Sequence, residues 1–65
     1  MNTFLERLKV EKIELDERIE KLTAFSNSDK FKDIDSKQQS LLNIQLKIME
    51  SYSQILLERL VLLNT

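Results

Sequence analysis

Apolar residues recur along the first third of the chain at intervals of three and four, the spacing of one face of an α-helix. At about 100° per residue they form a single stripe, which consists of Phe4, Leu5, Leu8, Leu15, Ile19, Leu22 and Phe25. Thr3 and Glu6 have the spacing of a capping box, in which a hydroxyl and a carboxylate bind free backbone N–H groups. The pattern predicts a helix over 4–25, with Lys12 inside its apolar stripe.

The segment that follows, SNSDKFKDID, is rich in Ser, Asn and Asp, which compete for backbone hydrogen bonds and end helices. Phe31 and Ile34 are three residues apart, so we expect them to fold down together as an apolar plug. Ser28 is positioned to cap the single helical turn that carries them. Asp35 or Ser36 then caps a second helix.

The residues over 37–63 predict a second helix with more apolar surface than one neighbour can cover. The stripe expected to face the first helix consists of Leu41, Ile48, Met49, Tyr52, Ile55, Leu56, Leu60 and Leu63. The connecting elbow over 26–36 is short, which favours an antiparallel hairpin. The side chains expected to remain outside the hairpin are Val10, Ile13, Leu46, Leu57 and Val61, with Ile44 and Leu62 to one side of the second helix.

We therefore predict an all-α fold: one helical domain over 1–65 that forms an antiparallel two-helix hairpin with a short helical elbow. A chain of 65 residues without cysteine or histidine has neither a disulfide nor a zinc site to supplement a small core. The surplus apolar faces are expected to be buried between copies, giving a homo-oligomeric helical bundle. A dimer that forms a four-helix bundle is the smallest solution, and a higher ring would use both extra faces.

Composition limits the possible functions. The net charge of −1, from 10 basic and 11 acidic residues, argues against binding of DNA or RNA polymers by charge. The apolar runs fall far short of the ~20 residues that cross a bilayer, so we expect no membrane contact and a cytoplasmic protein. Without His, Cys or a Gly-rich phosphate loop, the common catalytic arrangements are missing. We expect no enzyme, no cofactor and no metal; a protein–protein interaction module without a small ligand is one functional hypothesis.

Arg59 is the most unusual residue of the second helix, because it shares the angular position of Leu41 and lies close to Tyr52. A guanidinium held among apolar side chains needs an anion. An ion pair with Glu6 at the start of the first helix, or a head that reaches water, would be a structural explanation. The planar fork of arginine also suits the oxygens of a bound phosphate.

Four further residues are candidates for ligand binding. Lys21 lies near the end of the first helix, where the helix dipole also explains a cation. Thr23 is β-branched, and its hydroxyl could bond back to a carbonyl or face a ligand. Phe4 and Arg7 would offer a stacking surface and a charge to a nucleobase and a phosphate.

Two segments, FLERLKVEKIELDERIEKLTAFSNSDKF and LLNIQLKIMESYSQILLERL, resemble a crAss-phage-related family of small phage-encoded helical proteins. That family includes the second described class of anti-CBASS proteins, and the resemblance covers residues 4–60. It implies a sponge in the host bacterial cytoplasm that binds cyclic dinucleotides and cyclic trinucleotides without cleaving them, which keeps the CBASS effector off. It also implies homo-oligomers, commonly hexamers, with ligand pockets between protomers.

The resemblance also assigns roles to particular residues. Cyclic dinucleotides are held in that family by a lysine late in the first helix and an N-terminal tyrosine, and cyclic trinucleotides by a threonine and an arginine. Lys21, Thr23 and Arg59 match the lysine, the threonine and the arginine. Phe4 is the aromatic residue nearest to the tyrosine position, and it can stack but cannot donate a hydrogen bond.

Overall fold

The computed structural model describes residues 3–64, and this part of the chain contains three helices. They are α1 (Thr3–Ser26), α2 (Asp29–Lys32) and α3 (Ser36–Leu63). The two long helices pack side by side as an antiparallel hairpin in a rod of 47 × 15 × 13 Å, and α2 forms the elbow. The predicted all-α hairpin with a short helical elbow is confirmed.

The start of α1 differs from the expected capping box. The helix begins at Thr3 itself, so this residue lies within the first turn rather than before it. The residue that precedes it lies outside the described residues. Glu6 remains in the first turn, where a carboxylate interacts favourably with the helix dipole.

Serine and aspartate side chains define the elbow. The Phe25 carbonyl at the end of α1 accepts from the Ser28 hydroxyl at 2.6 Å and from the Ser28 backbone N–H at 3.0 Å. Ser28 also occupies the N-cap position of α2, as expected, but its hydroxyl makes no capping bond there. Asp35 caps α3, because its Oδ2 accepts a hydrogen bond from the Lys37 backbone N–H at 3.0 Å.

An aromatic pair and one amide hold the elbow against the long helices. The rings of Phe25 and Phe31 meet edge to face, with centroids 5.9 Å apart. Phe31 and Ile34, the two residues expected to form an apolar plug, are both half-buried. The Gln39 amide donates to the carbonyls of Phe31 at 3.0 Å and Ile34 at 2.9 Å, which fixes where α3 leaves the elbow.

The seam between α1 and α3 follows a heptad, with alternating intervals of three and four residues. On α1 its buried and half-buried positions are Leu5, Leu8, Lys12, Leu15, Ile19 and Leu22. On α3 they are Gln39, Leu42, Leu46, Met49, Ser53, Leu56 and Leu60. Leu8, Leu15 and Leu56 form the core of the described residues, and Leu56 is 0% exposed.

The stripe predicted to face α1 from α3 is wrong for five of its eight residues. Met49, Leu56 and Leu60 do pack against the core. Leu41, Ile48, Tyr52, Ile55 and Leu63 are exposed instead. Leu46, expected outside, is a seam residue. The physical reason is that Gln39 and Ser53 are polar, which makes the true seam less hydrophobic than the neighbouring stripe.

A polar layer interrupts the seam between Leu8 and Leu15. The Lys12 ammonium donates to Asp16 Oδ2 at 2.7 Å and to Ser53 Oγ at 3.1 Å, and the Ser53 hydroxyl donates to the Asp16 carboxylate. The hydrogen bond from Lys12, followed by that from Ser53, lowers the pKa of Asp16 against a smaller opposing effect of burial. A slip of α3 by one turn would place Met49 or Leu56 opposite Lys12 and leave its ammonium without Ser53, so this layer favours the observed register.

Several apolar side chains lie outside the hairpin. Val10 and Ile13 on α1 and Leu57 and Val61 on α3 are exposed, as expected. Within residues 3–64 no helix combines the length and apolar character needed to cross a bilayer.

Candidate functional site

Aromatic and charged side chains join the two long helices along one side of the seam. We call this side the flank and define it by Phe4 and Glu11 on α1 and Tyr52 and Arg59 on α3. The Arg59 guanidinium carbon lies 6.0 Å from the centre of the Phe4 ring. The Tyr52 hydroxyl donates to Glu11 Oε2. Each of these residues immediately precedes a seam position, so the heptad places all four on the same side.

Arg59 points its charge outward rather than into the core. The residue is exposed, and within residues 3–64 no carboxylate lies at ion-pair distance from its guanidinium. The ion pair with Glu6, one structural explanation for this arginine, is therefore not what the described residues form. Its contact with the Phe4 ring is a cation–π interaction, worth about 0.5–1 kcal/mol at an exposed site.

Tyr52 is a hydrogen-bond donor held at the surface. Its ring lies at the surface rather than in the core, and its hydroxyl reaches across to Glu11 on α1. The hydrogen bond to Glu11 raises the pKa of Tyr52, partial burial and the Glu11 charge raise it further, and the Arg59 charge opposes them. Tyr52 is protonated at neutral pH and donates a hydrogen bond to Glu11.

A second guanidinium lies near the same end of the hairpin. Arg7 lines a shallow, open groove on α1 together with Thr3, Glu6 and Val10. Arg7 is one helical turn from Phe4, so the two share the open end of the hairpin. The open end of the hairpin thus carries one aromatic ring and two guanidinium groups.

The other two candidates lie at the opposite end of the molecule. Along α1, Thr23 is about 28 Å from Phe4 at a rise of ~1.5 Å per residue, next to the elbow. Lys21 is exposed and Thr23 is half-buried. Among residues 3–64 nothing hydrogen-bonds the Thr23 hydroxyl, although its carbonyl accepts from Ser26 Oγ at 2.8 Å. One chain therefore does not gather the five predicted residues into one site.

Sequence reasoning missed the way the flank repeats. Its positions recur every seven residues, as Phe4, Glu11 and Arg18 on α1 and as Arg59, Tyr52 and Gln45 on α3. This interval is visible in the sequence once the seam is known. Arg18 is exposed, and within residues 3–64 it forms no ion pair. It is thus a second guanidinium on the same side as Arg59.

A family model described as Sequestin matches residues 2–62. The chain belongs to the Sequestin family. No curated protein and no solved structure matches it. The family name denotes sequestration, so the predicted resemblance to a sponge-type family is confirmed at that level, and it agrees with a protein that holds a ligand rather than converting it. The more specific anti-CBASS and crAss-phage assignments stay predictions.

The flank of this Sequestin protein offers groups that hold anions and planar rings. Arginine forks bind phosphate oxygens, and an exposed aromatic ring stacks on a nucleobase. In the described part of the chain, no group of three acidic, histidine or cysteine side chains is arranged to hold a metal ion. The chemistry that the described side chains favour is therefore binding of an anionic, ring-containing ligand.

Proposed function

We propose that this Sequestin protein binds cyclic dinucleotide and cyclic trinucleotide immune signals, holds them intact and thereby blocks activation of CBASS effectors. The observation that carries the proposal is the Arg59 guanidinium, which lies over the Phe4 ring with no carboxylate at ion-pair distance among residues 3–64. Family membership supports sequestration. The chemistry of these side chains supports a ligand with phosphodiesters and bases.

The open end of the hairpin matches the two parts of a nucleotide. Phe4 is 55% exposed, which leaves a ring face for a nucleobase. Stacking of a base on an aromatic side chain contributes about 1–3 kcal/mol. Arg59 and Arg7 can each donate to phosphate oxygens, and a hydrogen bond to a charged group contributes about 1.5–3 kcal/mol. A pocket formed at this end would thus bind both the base and the phosphate.

The elbow end would contribute from a different copy. Lys21 and Thr23 are too far from Arg59 along one hairpin to touch the same small ligand. In a homo-oligomer, up to the hexamer that the resemblance implies, the elbow of one copy can lie beside the open end of another. Three copies of Arg59 around a three-fold axis would face the three phosphates of one cyclic trinucleotide.

The same groups favour retention over cleavage. Tyr52 is held protonated by Glu11, so it is not available as a phenolate nucleophile. The Glu11 carboxylate is already engaged by that hydroxyl. With no histidine or cysteine in the chain, a bound phosphodiester would meet donors but no activated nucleophile. The ligand would leave the protein unchanged.

Titration calorimetry with a panel of cyclic dinucleotides and trinucleotides tests this function. We expect Arg59→Ala to weaken binding at least tenfold, because it removes a charge-assisted hydrogen bond. Arg59→Lys should recover only part of the affinity, since lysine lacks the planar fork. The matched control is Lys47→Ala, which removes an exposed cation elsewhere on α3. Nucleotide recovered after the complex is denatured should be intact by mass.

Two outcomes would overturn parts of the proposal. Binding only to nucleotides that carry a diphosphate, such as ADP-ribose and its cyclic form, would keep sequestration and reject cyclic oligonucleotides as the ligand. Cleaved nucleotide after denaturation would reject retention.

The exposed apolar surface of α3 favours a second function, a protein–protein interaction module, which would stand if the protein binds no nucleotide but pulls a specific partner from host extract.

A further inference from the structure

We infer that α3 pairs antiparallel with α3 of a second copy, and that this pairing places Arg59 of one copy beside Arg18 of the other. Two identical anion sites would result, one at each end of the dimer. The inference rests on the proposed function only for the identity of the anion. The pairing itself follows from the side chains of α3.

An exposed apolar stripe runs along α3, about 145° around the helix from the seam at ~100° per residue. Its large members are Leu41, Ile44, Ile48, Ile55 and Leu62, each more than half exposed. From Leu41 to Leu62 the stripe is about 32 Å long at ~1.5 Å per residue, and about 10 Å wide. Monomeric soluble proteins rarely leave a continuous apolar face of several hundred Å² exposed unless it binds something.

The stripe has the symmetry of a surface that binds itself. Leu41 and Leu62 lie equally far from the point between Ser51 and Tyr52, and so do Ile48 and Ile55. When two copies of α3 run antiparallel about that point, Leu41 meets Leu62 of the other copy and Ile48 meets Ile55, whereas Ile44 lies level with Arg59. An interface with two-fold symmetry requires this self-complementary order. The even spacing of seven residues lets a second copy cover the stripe without any other protein, so a second copy is the occupant that we infer.

The small core of the hairpin gives a reason for the pairing. Three side chains are buried within residues 3–64, namely Leu8, Leu15 and Leu56. Chains below about 70–80 residues need further stabilisation from a disulfide, a metal or assembly. This chain has no cysteine and no histidine. Covering the α3 stripe with a second copy would bury apolar area that the hairpin cannot bury by itself.

The pairing would bring the two flanks to opposite walls of one trough. Tyr52 and Arg59 lie between the seam and the stripe, so the flank of each copy adjoins the interface. Arg59 and Ile44 are equally far from the symmetry point, so Arg59 of one copy lies level with residues 44–45 of the other. Within one hairpin, the register that pairs Glu11 with Tyr52 also places Arg18 of α1 level with Gln45 of α3. Arg59 of one copy therefore lies level with Arg18 of the other. Two guanidinium groups from different copies then face each other.

Charge-paired variants test the pairing and its direction. Ile48→Glu should dissociate the dimer in sedimentation experiments, and so should Ile55→Lys. A mixture of these two variants should form a heterodimer, because antiparallel packing places residue 48 against residue 55. The matched control mixes Ile48→Glu with Ile48→Lys, which antiparallel packing does not pair. Recovery in the control mixture alone, or a wild-type monomer at millimolar concentration, would overturn the inference.

A complementation experiment tests the shared site with a fluorescent cyclic triadenylate as the probe. Arg18→Ala and Arg59→Ala should each lose binding, yet a mixture should regain about a quarter of the sites, because random heterodimers contain one intact site of two. The control mixes Arg7→Ala with Arg59→Ala, whose side chains come from the same copy, and should regain none. If wild type binds no nucleotide, the proposed function fails while the sedimentation result still decides the pairing. Nucleotide binding by wild type with no recovery on mixing would reject the shared site.

Discussion

Replacing Leu56 with alanine should remove a large part of the stability of the hairpin. Leu56 is 0% exposed and belongs to the buried core of the seam with Leu8 and Leu15. Three carbon atoms are removed, worth about 2.4 kcal/mol at ~0.8 kcal/mol per buried CH₂. The cavity left behind raises the expected cost to about 2.7–5 kcal/mol. A domain of 65 residues is expected to have only about 3–10 kcal/mol in total.

Thermal and urea unfolding followed by circular dichroism measures this loss. At ~4–8 °C per kcal/mol for a small domain, Leu56→Ala should lower Tm by at least about 11 °C. The matched control is Ile48→Ala on the exposed stripe, where the side chain is 63% exposed. Its effect should stay below about 1 kcal/mol in a hairpin by itself. All variants must be compared at one protein concentration, since assembly makes Tm depend on concentration.

The result that would refute this reasoning is a smaller loss for Leu56→Ala than for Ile48→Ala at every concentration. The main core would then lie along the exposed stripe of α3, and the seam with α1 would be secondary. A loss for Ile48→Ala that grows with protein concentration is instead expected if two copies bury the stripe.

Four other changes should have smaller effects. Asp16→Asn should flatten the acid limb of the curve of unfolding free energy against pH. The pKa of Asp16 is lowered from 3.8, so its contribution to stability is present above that pH and is lost as pH falls through the folded value. Urea titration at several acidic pH values would show the difference. Tyr52→Phe should flatten the alkaline limb, because the pKa of Tyr52 is raised above 10.0 and its contribution is lost as pH rises through the folded value; an unchanged slope would contradict this. Asp35→Ala should cost about 0.5–2 kcal/mol by removing the N-cap of α3, whereas Asp33→Ala, whose side chain makes no capping bond, should cost less in the same unfolding assay. Replacing Lys12 and Ser53 together with leucine should leave stability unchanged or raise it, and register heterogeneity in amide NMR spectra would show what the polar layer specifies.

The nucleotide proposal and the pairing inference depend on different features of α3. Arg59 and its contact with Phe4 carry the first, and the symmetric order of Ile48 and Ile55 carries the second. Each can fail without the other, because a monomer can bind a phosphate and a dimer can lack a ligand. The two meet at Arg18, which would contact a bound anion together with Arg59 only if the copies pair.

The sequence alone was sufficient for the class of fold and for the connection between the helices. Long apolar periodicity without Gly or Pro predicts helices, and the Ser- and Asp-rich elbow interrupts them. Asp35 was one of two residues expected to cap the second helix, and it does so. Phe31 and Ile34 were expected to pack as a plug, and both are half-buried. These features depend on interactions among near neighbours, so local patterns determine them.

The tertiary structure decided which face of α3 meets α1. Two stripes of similar apolarity compete on that helix, and a straight helical projection favours the one with Ile48 and Ile55. The seam chosen instead has Ser53 at the level of Lys12, where a polar group can accept from the ammonium. Complementarity between two helices cannot be read from either helix by itself. The flank, with Arg59 over Phe4, exists only because that choice turned the other stripe outward.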